Sequence, residues 1–385
     1  MSAFVPQDRH GMFPTPIHDE AARQDFVLSF RRHMAANVAS GIRMVFERRA
    51  EPAFVRAEGR PTQDRRDVRK ALSRDPYYQM WGAFQRGAQE LMWDSVIDTV
   101  ERQLPDMSAR AAAYASSSRR IGSLALDPAL AMPRYLTAHH IHTMPGSYTA
   151  DNCAGDISAG AIYDRGVYLY IRGSLGPQND LQGQQLVDFY RRAFPDHSCR
   201  KILDLGCTVG HSTLAWAQAF PNSEIHAVDV SAACLRYAHG RAESLGRTVH
   251  FSQQNAEATN FADATFDVVV SHILFHETST KAVANIMKEC RRVLRPGGLM
   301  LHMEIPQDKH MDKVDSCQME WEAYNNNEDF LATMRDLDFE AIAVGAGFRP
   351  ENVKLELVYS TLPGARRESN GGRLFNPILV GIREN

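Results

Sequence analysis

The sequence predicts an α/β protein, with a parallel sheet covered by helices in its C-terminal half and a mainly helical N-terminal region. Three observations carry this. From about Leu181 onward, short apolar runs alternate with helical runs, the pattern of a parallel sheet with crossover helices. The run Lys201–Leu205 passes directly into a glycine turn and then a helical stretch. Before residue 150, apolar residues recur at helical spacing.

Taken in order, residues 1 to about 20 hold Pro6, Pro14 and Pro16 and read as an extended arm. Phe26, Phe30, Met34 and Val38 mark a helix within 21–53. Trp81, Phe84, Ala88, Leu91, Val96 and Val100 mark a second over 77–104, ended by Pro105, and the Ala-rich run near 111–115 suggests a third. Residues 144–176 mix Gly, Tyr and polar residues and read as a connecting lid without regular structure. A helix over 181–194 follows, then five buried strands at 201–205, 224–228, 249–253, 266–271 and 299–304. Helices near 211–220, 231–245 and 278–294 separate them. After a helical stretch over 327–346, strands near 353–359 and 375–382 flank a Gly-rich loop, Ser369–Gly372. With no crossover helix between them, they are expected to close the sheet as an antiparallel pair, giving seven strands. The expected domains are a helical region over 1–150, a lid over 151–180 and the sheet domain over 181–385.

Composition narrows the function. A chain of 385 residues with 44% hydrophobic and 23% charged residues is a soluble globular protein by composition. A net charge of −3 supplies no basic field for nucleic acid. No apolar run approaches the roughly 18 residues of a membrane helix. The six cysteines form no C-x-x-C pair, so neither zinc nor a disulfide framework is indicated. His272 and His276 are four apart, and His139, His140 and His142 form a second cluster, but the H-x-x-x-H spacing lacks H-E-x-x-H order and an evident third ligand, so no metal is expected. With Met1–His10 too polar for a secretory signal, the expected location is cytoplasmic.

The most informative stretch is Asp204-Leu205-Gly206-Cys207-Thr208-Val209-Gly210-His211. A strand, a tight glycine turn and a helix N-terminus place free N–H groups beside a ligand. The spacing fails the dinucleotide pattern, because Thr208 and His211 occupy its glycine positions. It also lacks the lysine of a phosphate-binding P-loop.

Together with other segments, this loop resembles the Rossmann-like (class I) S-adenosylmethionine-dependent methyltransferases, near the ubiquinone/menaquinone-like small-molecule group. The segments are DLGCTVG, IHAVDVS ending its strand at Asp229, QNAEATNF, FDVVVSHILFHE and RRVLRPGGLMLHMEIP, in that order over about 181–385. Thr208 stands where the family usually has a middle glycine, and Asn255 where the adenine loop usually has an acid. The resemblance implies S-adenosyl-L-methionine as cofactor, contacted by Asp204, Gly206, Cys207, Thr208, Gly210, Asp229, Val230, Asn255, Ala256, Glu257 and Ser271. Asp229 would accept from the ribose hydroxyls.

Chemistry in such open sheets lies beyond the C-terminal strand ends. His276 is therefore the first candidate for a general base, in the neutral imidazole form. His272 and Glu304 lie nearby, with Glu304 placed to orient His276. Tyr163, Tyr168, Trp321 and Tyr324 are candidate acceptor-binding residues. The expected reaction is methyl transfer to a small organic acceptor at oxygen or carbon. The alternatives are S- or N-methylation of a small metabolite, or a cofactor-binding module without turnover. The N-terminal helices are expected to close over the acceptor or to form a homodimer interface.

Overall fold

The structure, a computed structural model, describes residues 6–359 and 375–384. The Gly-rich loop Ser369–Gly372 lies outside these residues.

The N-terminal region begins with α1 (His18–His33), α2 (Ala39–Val45) and α3 (Glu51–Glu58), joined by two wide π turns of five residues each. Then come α4 (Arg65–Leu72) and the long α5 (Pro76–Ser116). Asp64 and Asp75 cap the last two by accepting backbone N–H groups of the first turn, and Pro76 fits the first helical position. Contrary to expectation, α5 does not end at Pro105. The proline sits on the exposed side of the helix, while Met107 and Ala111 beyond it are buried in the core. Their burial opposes the cost of about 3 kcal/mol for an interior proline. The Ala-rich run is therefore the end of α5, not a separate helix.

Next come β1 (Ser123–Ala125), α6 (Arg134–Thr137), α7 (Ser158–Tyr170) and α8 (Leu181–Ala193). The sheet region alternates as β2 (Lys201–Leu205), α9 (His211–Ala219), β3 (Glu224–Asp229), α10 (Ala232–Ser244), β4 (His250–Gln253), β5 (Phe266–His272), α11 (Thr280–Val293) and β6 (Leu294–Met303). It continues with α12 (Lys313–Asn325), the short α13 (Leu331–Met334) and α14 (Phe339–Gly345), then β7 (Val353–Tyr359) and β8 (Phe375–Ile382). The strand order is β1-β4-β3-β2-β5-β6-β8-β7. β8 runs antiparallel to both β6 and β7, as expected of the closing pair; the other pairings are parallel.

Among the described residues the sheet has eight strands rather than seven, because β1 from the N-terminal region pairs with the edge strand β4. A three-residue strand carries no readable alternation. Its approach depends on Gly122, where a Cβ would lie 2.3 Å from the Val249 carbonyl oxygen.

The second correction concerns residues 144–176, which contain α7 rather than an irregular lid. α7 is buried along most of its length. Two glycines make this possible: a Cβ at Gly160 would meet Tyr237 Cβ at 2.5 Å, and one at Gly166 would meet the Trp93 ring at 2.3 Å. Those glycines also break the apolar periodicity that would have marked the helix.

A core formed by α1, α5, α7 and α10 covers much of the N-terminal apolar surface, and a second joins α2, α4 and α5 to α12. Yet Phe26 and Phe84, read from spacing as inward-facing, are 62% and 47% exposed. α1 turns Gln24 and Arg31 inward instead. Gln24 accepts from Arg165 Nε at 2.8 Å and donates to the Ser95 carbonyl, and Arg31 Nε donates to the Tyr170 carbonyl. Hydrogen-bonded polar residues occupy the buried face, which an apolar pattern does not register.

Because α7 and α5 meet through Gly166, a methyl group there forces the helices apart. Gly166→Ala is expected to lower unfolding stability by about 1–3 kcal/mol, read as an earlier urea midpoint. An unchanged midpoint would show that the contact yields without cost.

Candidate active site

The order of chain connection reverses between β2 and β5. In an open sheet this is where the loops after the strands diverge and leave a crevice. Here the ends of β2, β3 and β5 open into one cavity of about 380 Å³, lined also by α5, α7 and α12.

On one side the cavity is lined by Gly206, Thr208, Asp229, Val230, Asn255 and Ala256. Asp229 accepts the backbone N–H groups of Thr208 and Ser231, each at 2.9 Å. It thereby ties the end of β3 to the glycine loop. Gly206 has φ +70°, and a Cβ there would lie 2.6 Å from Leu274. Thr208 itself has φ +48°, a left-handed conformation that favours glycine. Asn255 Oδ1 accepts from the Glu257 N–H at 2.9 Å. This set suits a nucleoside: a strand-end carboxylate for vicinal hydroxyls, an amide for a base edge, and a glycine turn leading to the helix N-terminus at His211.

Other residues predicted for this site stand behind it. Asp204 is buried and accepts from Thr213 Oγ1 at 2.5 Å. Burial above all pushes its carboxyl up to about 7. It therefore holds the first turn of α9 and does not itself line the cavity. Cys207 and Gly210 shape the turn without lining the cavity. Glu257 holds Tyr135 and Asn285, at 3.0 and 2.8 Å, and Ser271 binds His302 Nδ1 at 2.6 Å. Neither Glu257 nor Ser271 lines the cavity.

On the other side stand Trp93, His142, Tyr148, Tyr163, Tyr170, His272, His276, Glu277, Glu322 and Glu328. His142 lies between two carboxylates, with Nε2 2.9 Å from Glu277 and Nδ1 2.9 Å from Glu328. Burial opposes its charge, but the two acids outweigh burial and hold its pKa well above the ordinary value. Burial likewise opposes the charge of Glu277, but His142 brings that carboxyl down to about 2. The Tyr148 hydroxyl also donates to Glu277, at 3.0 Å. The His142 carbonyl accepts from Gln89 and from the Trp93 indole.

His276 is paired in the same way. Its Nδ1 lies 3.1 Å from Glu304 Oε2, while the other Glu304 oxygen accepts the Phe275 N–H at 2.6 Å. Burial opposes protonation, but Glu304 and then Glu277 push His276 up to about 9. The imidazole is therefore cationic at neutral pH. This corrects the expected neutral base: the carboxylates that orient the ring also hold its proton. Burial instead drives His272 down to about 3, leaving it neutral, with Nε2 3.0 Å from Gln182 Oε1.

Three expected acceptor-binding residues lie elsewhere. Tyr168 is fully buried beside Arg165, while its neighbour Tyr170 lines the cavity. Trp321 packs on Trp81 and the exposed Tyr324 lies beneath Arg69, both facing a separate surface groove. They share α12 with Glu322 but occupy other faces of that helix. Sequence reasoning missed the pairings of His142, Glu322 and Glu328. His142 and Glu277 are 135 positions apart, and the only local signal was the histidine cluster at 139–142.

Residues 202–298 match the family described as a methyltransferase domain. The chain is 30% identical over 170 residues to a malonyl-[acyl-carrier protein] O-methyltransferase of Methylococcus capsulatus, covering 42% of this chain and 57% of the relative. It is 30% identical over 145 residues to a ubiquinone/menaquinone biosynthesis C-methyltransferase of Pasteurella multocida, covering 36% and 53%. The chain thus spans about half the length of these relatives. A solved phosphoethanolamine N-methyltransferase 2 of Haemonchus contortus, in complex with S-adenosyl-L-methionine, is 17% identical with TM-score 0.38, covering 52% of each chain. Residues 202–298 are thus similar to a methyltransferase domain and lie within a largely parallel, Rossmann-like sheet. The two sequence relatives named are described as an O- and a C-methyltransferase.

The pairing of His276 sets a pH dependence. Its folded pKa is raised from an unfolded value of about 6.5. Its contribution to stability is therefore complete below that value and is lost as pH rises through about 9. Imidazole-nitrogen NMR should show a titration midpoint near 9, and Glu304→Gln should lower it. A midpoint near 6.5 in the intact protein would refute the pairing.

Proposed function

We propose that this protein transfers a methyl group from S-adenosylmethionine to a small organic acceptor, at oxygen or carbon. The observation that carries the reading is the continuity of one cavity: a nucleoside-suited wall around Asp229 runs into an aromatic and acidic wall around His142. The O- and C-methyltransferase names of the sequence relatives agree with it.

In this reading the cofactor supplies a methyl group activated on a sulfonium, and the chain's work is positioning and exclusion of water. Asp229 accepts from the ribose hydroxyls, and Asn255 and Ala256 frame the adenine. Gly206 and Thr208 carry the amino-acid end, with Asp204 acting through Thr213 to hold α9. Tyr163 and Tyr170 wall the acceptor. His276 serves as a protonated hydrogen-bond donor oriented by Glu304, not as the group that removes a proton. His272 is the neutral imidazole of the site. The N-terminal helices, which bring Trp93 to the cavity, serve as its roof.

The test is turnover. Protein incubated with S-adenosylmethionine and a metabolite library should yield products heavier by one methylene, detected by mass spectrometry. Binding without any turnover would favour a non-catalytic cofactor module, and a product methylated on nitrogen or sulfur would overturn the choice of acceptor atom. Asp229→Ala should weaken S-adenosylmethionine binding by about 1–3 kcal/mol, the cost of unpaired ribose hydroxyls. Calorimetry reads this directly, and unchanged affinity would remove Asp229 from the cofactor site.

A further inference from the structure

On the acceptor side of the cavity, one carboxyl group has a fully buried oxygen that the surrounding side chains leave unpaired. Glu277 and Glu328 share His142, and Glu304 takes His276. Glu322, on α12, accepts a hydrogen bond from the Tyr170 hydroxyl. Its second oxygen, Oε2, is buried and has no hydrogen-bond partner among the described residues. A buried carboxylate oxygen without a donor is costly, so it marks a place where a ligand's donor is favoured.

The surroundings select the kind of donor. Trp93, Tyr148, Tyr163 and Tyr170 line the same cavity and offer aromatic rings, whose faces attract cations. Met319 and Val167 fill in with apolar surface. The charged groups acting on Glu322 are Glu328, Arg31, Arg172 and His142. Neither arginine forms an ion pair with it among the described residues; Arg31 lies over the Tyr170 ring, 4.6 Å from its centroid. Burial and the neighbouring Glu328 push the Glu322 carboxyl up to about 7. An arriving cation therefore stabilises its ionised form.

We propose that the methyl acceptor carries a protonated amine, which binds Glu322 among the rings of Trp93, Tyr163 and Tyr170. The amine is an anchor. A protonated nitrogen has no lone pair to receive a methyl group, so transfer goes to another atom of the same molecule. Glu322 is on this account a specificity-determining residue. The inference rests on reading this cavity as the acceptor site of a methyltransferase.

The experiment compares three probes of similar shape, tyramine, 4-ethylphenol and 4-hydroxyphenylacetate, on protein saturated with S-adenosylhomocysteine. By calorimetry, tyramine should bind about tenfold or more tightly than 4-ethylphenol, the effect of one charge-assisted hydrogen bond. 4-Hydroxyphenylacetate should bind most weakly. Glu322→Gln, which keeps the side-chain shape, should abolish the preference for tyramine and leave S-adenosylhomocysteine affinity and melting temperature unchanged. The proposal is overturned if 4-ethylphenol matches tyramine, if the preference survives in Glu322→Gln, or if tyramine shows no saturable binding. The ranking on the intact protein decides even where the variant fails to fold. If S-adenosylhomocysteine itself does not bind, the methyltransferase reading fails instead. Tyramine titrated into the ligand-free protein then still decides the amine.

Discussion

The carboxylate of Asp164, at the centre of α7, holds the two halves of this molecule together. It is 1% exposed. It receives His10 Nε2 at 2.8 Å, His211 Nε2 at 2.7 Å, the Tyr237 hydroxyl at 2.7 Å and Gln7 Nε2 at 3.1 Å. Burial opposes its charge, but the hydrogen bonds from His10 and His211 outweigh burial and hold its pKa well below the ordinary range. One charged group thereby fixes four pieces of chain: the N-terminal arm, α7, the start of α9 and α10. Removing one partner from a buried charged cluster typically costs about 3–5 kcal/mol, because the others are left uncompensated. The cavity depends on this directly. His211 follows Gly210 of the glycine loop, and the Tyr163 ring stacks on His211 at 5.8 Å and 24°. A tyrosine that lines the cavity is thus held by the same hub that positions the helix behind the loop.

That rigidity supports a strained site. Three non-glycine residues lining the cavity, His142, Thr208 and Ile273, have φ of +56°, +48° and +57°. Each such conformation costs on the order of 1–3 kcal/mol and persists only where its surroundings dictate it. Here they do: the Thr208 N–H donates to Asp229, the Ile273 N–H to the Met303 carbonyl at 2.8 Å, and the His142 carbonyl accepts from Gln89 and Trp93. The departure from glycine at 208 thus has a local explanation. A side chain is tolerated in a glycine-like conformation because the neighbouring strand end, through Asp229, holds the peptide in place.

The parts of this arrangement that were legible in the sequence are those built within one short stretch. β2 and its glycine turn, Asp229 some 25 residues later and the antiparallel end of the sheet follow from local pattern and order. β1 escaped because three residues carry no period, and α7 because Gly160 and Gly166 dilute its apolar stripe where it packs most closely. Helix spacing placed Phe26 and Phe84 inward, but Gln24 and Arg31 hold the buried face through hydrogen bonds. The neutral imidazole expected at His276 failed for an electrostatic reason. A histidine's position at a strand end says nothing of its charge, which here is set by Glu304 and Glu277.

The two sides of the cavity therefore differ in how they are encoded. The nucleoside-suited side comes from consecutive strand ends, so its residues are fixed by the sheet and tolerate little independent change. The other side takes Trp93 from α5, His142 from the segment before α7, Tyr163 and Tyr170 from α7, Glu277 from the turn after β5, and Glu322 from α12. α12 and the N-terminal helices add no strand to the sheet beyond β1, so substitutions there can reshape this side of the cavity without disturbing the ladder that positions Asp229. Its charges, however, are not independent of one another. His142 and His276 both lie against Glu277, at 2.9 and 3.7 Å. Replacing Glu277 would weaken the hold on both imidazolium protons and free the Tyr148 hydroxyl at once. This side of the cavity is thus adjustable at its rim, through α12, and constrained at its centre, where Glu277 adds to the pull of Glu304 on His276 and of Glu328 on His142.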